Sequence, residues 1–246
     1  MYIDAHCHID TQKNLKELVA RARKEGVKII LNNGVNAETN RKTLQLCEKF
    51  PEVRAALGIY PIDGLKMSED EFDKEVEFIR KNKNKIVAIG EVGLDRKENL
   101  DNFDEQKENF GKMIKLSLEL NKPIIVHSRK AEKECIEMLE EMKAKKVIMH
   151  CFSGNLKLVE RIIRNKWTFT IPASVKHSEH FQLVIKMTPM EQLLCETDSP
   201  FLHPDKKFPN EPALVVESYK KISEIKKMSL EDVEKKFEKN FGKLLG

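Results

Sequence analysis

The fold is decided at IVAIGEVGLDRKENLDNFDEQKENFGKMIKLSLELNKPIIVHS, residues 86–128. IVAIGEV (86–92) is short, β-branched or apolar, and lacks the polar alternation of a half-exposed strand. NFDEQKENFGKMIKLSLELN (102–121) then places its apolar residues at helical spacing and stops before Pro123. PIIVHS (123–128) returns to an unbroken apolar run. Two uniformly apolar strands joined through a helix are the pattern of parallel strands buried on both faces.

The same alternation extends in both directions. YIDAH (2–6), VKIILNN (27–33) and VRAALGI (53–59) precede the stretch, and VIMHCF (147–152), WTFTI (167–171) and LLCETD (193–198) follow it. Between them lie helical patterns: LKELVARARKEG, ending on Gly26 as a C′ residue, AETNRKTLQLCEKF from Ala37, and EDEFDKEVEFIRKNKN from Glu69. The tail from Pro212 reads as two helices. Eight β-then-α units with no linker or composition break, in 246 residues, predict an α/β fold. Its form is a single (β/α)8 barrel of TIM type spanning 1–246, near the usual length of about 250. The rival doubly wound sheet would call for G-x-G-x-x-G after the first strand, which is absent.

Composition narrows the function. A chain that is 40% hydrophobic and 34% charged can build a large core under a charged surface, and 44 basic against 40 acidic residues leave a net +4. That balance argues against an extended polyanion-binding face but not against a local basic patch. No apolar run approaches the ~18 residues of a membrane span. The five scattered cysteines, without C-x-x-C or a secretory signal, lead us to expect reduced thiols in a cytoplasm. Cys7 and Cys151 each adjoin a histidine of interest and would face the opposite side of a strand, as packing.

In such a barrel the active site forms at the C-terminal strand ends. The first strand ends in His6 and His8, and the fourth runs into GEVGLD, with Glu91 and Asp95. The fifth ends in VHSR, with His127, Ser128 and Arg129; the sixth in HCFSG, with His150; the eighth in ETDSP, with Glu196 and Asp198. One such residue means little, but five of eight strand ends carrying nitrogen or carboxylate donors predict a metal site. Imidazole and carboxylate suit Zn, Mn, Fe or Ni. Six donors exceed the need of one tetrahedral ion with an open position, so two ions sharing a carboxylate are the natural alternative.

In this order, HCH, GEVGLD, VHSR, HCFSG and ETDSP resemble the TatD family of metal-dependent deoxyribonucleases, among the amidohydrolase-like barrels. PNEP at Pro209–Pro212 and a C-terminal helix with Asn240 and Phe241 add to a resemblance that covers essentially the whole chain. It implies that His6, His8 and Asp198 hold one divalent ion, that His127 and His150 hold a second, and that Glu91 bridges them. The pair would be Zn, Mn, Mg or Ni. It also implies a metal-activated water as nucleophile, Asp198 accepting its proton, and Arg129 orienting a substrate phosphate. The substrate would be DNA or a short oligonucleotide, attacked at an end. No membrane and no obligate protein partner are implied.

The chain departs from the family in three places. Tyr60 stands where the family usually has a histidine associated with substrate phosphate, and it can donate one hydrogen bond but carry no positive charge. Arg96, Lys97 and Glu98 follow GLD in place of aromatics, and Lys206, Lys207 and Phe208 replace an arginine-glycine pair. Tyr60 therefore keeps open a second expectation, a related barrel hydrolase of amides, lactones or other esters. Of the remaining polar residues, Asp4 and Glu196 are expected to support the ligands. Asp95 either orients a ligand or caps the next segment. His177 and His180 are expected in a loop, His203 on the surface beside a Pro200–Pro204 segment able to lean over the mouth, and Trp167 in the core or barrel wall. Lys130, Lys157 and Lys176 are expected to be solvated.

Overall fold

In a computed structural model that describes residues 1–99 and 101–245, the eight expected strands form one parallel sheet in sequential order. They are β1 (Tyr2–Cys7), β2 (Val27–Gly34), β3 (Val53–Leu57), β4 (Ala88–Gly93), β5 (Ile124–His127), β6 (Val147–Met149), β7 (Thr168–Pro172) and β8 (Leu193–Glu196). Each is buried along almost its whole length, as uniform apolarity requires. Around them lie α1 (Leu15–Lys24), α2 (Ala37–Lys49), a one-turn α3 (Pro61–Gly64), α4 (Glu69–Lys81), α5 (Phe103–Leu120), α6 (Glu132–Glu141), α7 (Leu156–Arg164), α8 (Glu179–Met187), α9 (Val216–Lys226) and α10 (Leu230–Leu245).

Local chemistry sets the helix ends. Ser68 and Glu71 form a capping box at α4, and Asn36 and Thr39 form one at α2, each satisfying amide donors that the first turn leaves open. α1 ends where Gly26 takes φ +87°, the left-handed conformation expected of its C′ residue. None of the described helices is long and apolar enough to cross a membrane.

The barrel closes just beyond the last strand rather than within it. Asp198 N–H donates to the His6 carbonyl (2.9 Å) and His8 N–H donates to the Ser199 carbonyl (2.7 Å). Buried Asp4 clamps the same seam, accepting from Thr197 N–H at 2.8 Å and lying 2.6 Å from the Thr197 hydroxyl. Closure therefore sets Asp198 beside His6 and His8, although 190 residues separate them along the chain.

One expectation shifts and another is met. His180 lies in the first turn of α8, not in a loop, because the Ser178 side chain accepts from Phe181 N–H and starts the helix early; its Nε2 donates to the Phe152 carbonyl (3.0 Å). Trp167 is buried just before β7 and donates to the Ala144 carbonyl.

Candidate metal centre

β1 delivers His6, and His8 follows one residue past its end; two-residue spacing sends both imidazoles to the same side. β4 delivers Glu91, β5 delivers His127, and His150 stands immediately after β6. Asp198 follows β8 with φ +55°, a left-handed backbone that Asp tolerates better than most residues. Gly93 lets β4 and β5 approach at this level, since a Cβ there would sit 1.9 Å from the His127 carbonyl oxygen.

The six expected ligand side chains meet, and they do so as two groups. His6 Nε2 and His8 Nε2 lie 3.2 Å apart. Glu91 Oε2 is 3.5 and 3.3 Å from them, and Asp198 Oδ1 is 3.7 and 3.6 Å away. A tetrahedral ion with bonds near 2.0–2.1 Å spaces its donors by about 3.3–3.4 Å, so this group fits one ion. Glu91 turns its other oxygen the opposite way: Oε1 is 2.9 Å from His127 Nδ1 and 3.9 Å from His150 Nε2. One carboxylate thus presents an oxygen to each group.

The outer nitrogens say the same. His8 Nδ1 meets the Asn33 carbonyl at 2.9 Å, His150 Nδ1 meets Glu196 Oε2 at 2.8 Å, and His127 Nε2 meets Asp95 Oδ2 at 2.8 Å. Each partner is an acceptor, so each imidazole donates outward and, once an ion displaces the proton on its inner nitrogen, aims a lone pair inward, the tautomer a metal ligand needs. His6 differs: its buried Nδ1 finds no partner among the described residues, and its ring stacks on His150 with centroids 3.6 Å apart.

Protonation follows the packing. Burial alone would lower the His8 and His150 imidazoles, but neighbouring carboxylates outweigh it: Glu91 and Asp198 raise His8 to about 9, and Glu196 and Asp198 raise His150 to about 10. Burial lowers His6 well below its usual value, and the nearby His150 adds to this. Burial would raise Glu91, yet hydrogen bonds from His127, His6 and His8 hold it far below the carboxylate range. Asp198 is raised to about 6 by burial, against the pull of His150 and His8.

Asp95 meets both of its expectations at once. Oδ1 accepts from Lys97 and Glu98 N–H (2.8 and 2.9 Å), capping the turn after β4. Oδ2 accepts from His127 Nε2, from the Tyr60 hydroxyl (2.9 Å) and from Arg129 Nε (2.7 Å). Arg129 is also paired with Glu98, so it stands at the mouth already engaged. Glu196 and Asp4 take the supporting places expected of them, Glu196 also accepting from Cys151 N–H (3.1 Å). Cys7 is buried and donates to the Leu31 carbonyl.

The centre opens into a cavity of about 550 Å³ whose walls include Tyr60, Asp63, Glu98, Arg129, Phe201 and Leu202. Sequence reasoning missed Asn33 and Glu98, because their roles depend on loops meeting across the barrel. Phe201 and Leu202 fulfil the expectation for the Pro200–Pro204 segment.

A parallel barrel whose C-terminal rim gathers imidazoles and carboxylates in this way is the architecture of a metal-dependent hydrolase. The chain belongs to the TatD family: the model for TatD related DNase matches residues 3–246. It is 35% identical over 242 residues to an uncharacterized metal-dependent hydrolase of Methanocaldococcus jannaschii, covering 97% of this chain and 94% of the relative. It is 32% identical over 245 residues to the human deoxyribonuclease TATDN3, covering 94% and 89%. The crystal structure of YJJV, a TatD homologue from Escherichia coli, superposes with a TM-score of 0.93 at 25% identity, covering 99% of this chain and 97% of the other.

Proposed function

We propose that this hydrolase is a two-ion phosphodiesterase that cleaves DNA from an end, acting as one domain in the cytoplasm. The observation that carries the reading is Glu91, which turns one oxygen to His6 and His8 and the other to His127 and His150. The human relative named a deoxyribonuclease supports DNA as substrate. The five free thiols support a reducing compartment.

His6, His8, Asp198 and Glu91 would hold one ion, and Glu91, His127 and His150 the other. Zn, Mn, Mg and Ni are the candidates for this donor set. Ions bound there supply Lewis acidity and lower the pKa of water from near 16 towards neutrality. Asp198 takes up the proton of the attacking water. Tyr60 stays protonated, because burial and the nearby Glu91 and Asp95 raise its hydroxyl further, and it serves as a neutral donor at the rim. Arg129 offers its fork to a phosphate oxygen by exchanging it for Glu98.

The test is direct. Purified protein with Mn or Mg should shorten single-stranded DNA, and Asp198→Asn should abolish the cleavage; intact DNA under every metal tried refutes the reading. A second reading has one observation in its favour. Among the described residues, Arg129 is the only lysine or arginine on a cavity wall that also carries Asp63, Glu91, Glu98 and Asp198. This suits a less charged ester, lactone or amide, and a panel of those substrates beside a phosphodiester separates the two.

A further inference from the structure

The segment between β8 and α9 carries a surface that the metal centre does not explain. Seven large apolar side chains are exposed among the described residues, and three of them, Phe201, Leu202 and Phe208, fall in this one loop. The two phenylalanines are the most exposed of all, at 54% and 72%. An apolar cluster left in water beside a catalytic mouth marks a contact surface.

The loop is built to hold that surface in place. Buried Asn210 ties its ends together: Asn210 N–H donates to the Pro200 carbonyl (2.8 Å), and Nδ2 donates to the Thr197 and Phe201 carbonyls (2.8 and 2.7 Å). Phe201 and Phe208 are thereby anchored at the same closed base. At the tip, Lys206 N–H donates to the His203 carbonyl, and Asp205 is taken by Lys176 (2.8 Å). That leaves Lys206 and Lys207 exposed, with no carboxylate within 4.0 Å among the described residues. Phe201 and Leu202 line the cavity, and Lys206, Lys207 and Phe208 follow in the same closed loop.

We propose that this loop, residues 200–210, is the docking arm for a single-stranded nucleic acid whose end enters the metal centre. Phe201 and Phe208 stack on unpaired bases, and Lys206 and Lys207 pair with phosphates. Aromatic faces alternating with cations are what binds a single strand without regard to sequence, since every base has a face to stack and every nucleotide a charge. The arm adds cations to a cavity whose guanidinium, Arg129, must leave Glu98 before it can meet a phosphate. This inference rests on the nucleic-acid reading of the site, which it narrows to single strands.

The test is binding of a fluorescein-labelled twelve-residue oligothymidylate in EDTA, followed by anisotropy, so that neither metal nor cleavage enters. Phe201→Ala and Phe208→Ala should each weaken binding by about 5- to 150-fold, the range for losing one stacked base. Lys206→Gln with Lys207→Gln should lower the slope of log K against log salt by about 1.4, at about 0.7 per phosphate contact on a single strand. Because all four side chains are exposed, folding should be unaffected, and circular dichroism checks this. Binding that ignores all four substitutions, or a wild-type protein that does not bind, overturns the inference even if DNA is cleaved when metal is added. Loop-dependent binding without cleavage under any metal upholds the arm and sinks the nuclease. Self-association abolished by Phe208→Ala, with strand binding unmoved, assigns the surface to a second copy of the chain and overturns the proposal.

Discussion

Replacing Asp95 by Asn should damage one ion site and spare the other. Asp95 is fully buried, and its two oxygens accept from five donors. The Lys97 and Glu98 amides are fixed by the turn and keep the single oxygen of an asparagine. Its NH2 group then faces the Tyr60 hydroxyl, Arg129 and His127 Nε2, where a carboxylate oxygen now sits 2.9, 2.7 and 2.8 Å away. His127 can relieve the clash only by accepting at Nε2, which moves its proton to Nδ1, the atom 2.9 Å from Glu91. The lone pair offered to the second ion is lost. Removing such an outer partner typically costs 10- to 100-fold in metal affinity, about 1.4–2.7 kcal/mol. Chelator competition on metal-stripped protein should resolve two sites, with the Glu91–His127–His150 site weakened by that factor and the His6–His8–Asp198 site unchanged. Two unchanged affinities, or two that fall together, refute the reasoning, as does an imidazole 15N spectrum in which His127 keeps its tautomer.

Three further outcomes follow from the same geometry. With His8 raised to about 9 and His150 to about 10, both are protonated in the metal-free protein at pH 7.5 and must deprotonate to bind. Calorimetry in buffers of different ionisation enthalpy should therefore show about two protons released per chain on metal loading; heats independent of the buffer contradict this. The sign for stability is the usual one for raised imidazoles: their ion pairs stabilise the metal-free chain fully below about pH 6.5, and that contribution fades as pH rises through 9–10. Tyr60→His places a chargeable donor at the rim and should lower KM for a phosphodiester by about 5-fold, the difference between a charged and a neutral hydrogen bond. An unchanged or higher KM would place Tyr60 outside substrate binding.

The barrel was legible because strands buried on both faces cannot alternate, so eight apolar runs stood out from the helices between them. The candidate donors were legible for a related reason: His127 and Glu91 interrupt those apolar runs towards the C-terminal ends of their strands, where such a barrel builds its site. The details written in space were not. Whether Asp95 orients a ligand or caps a turn depends on which loops meet there, and it does both because the β3, β4 and β5 loops converge on it. Glu98 is an ordinary charged residue until it is found on Arg129. His180 moved from loop to helix on the strength of one cap, Ser178, whose signal is weak without a glutamate three residues on. Lys206, Lys207 and Phe208 looked like a simple departure from the family pattern, and only the closure of their loop by Asn210 ties them to the mouth.

The most direct test of the two-ion centre is cleavage of a single-stranded oligonucleotide by metal-stripped protein titrated with Mn(II), at protein concentrations above both dissociation constants. The expected result is little cleavage through the first equivalent, a rise through the second, and a plateau at two ions per chain. A plateau at one equivalent, or intact oligonucleotide throughout, would contradict a pair of ions joined by Glu91.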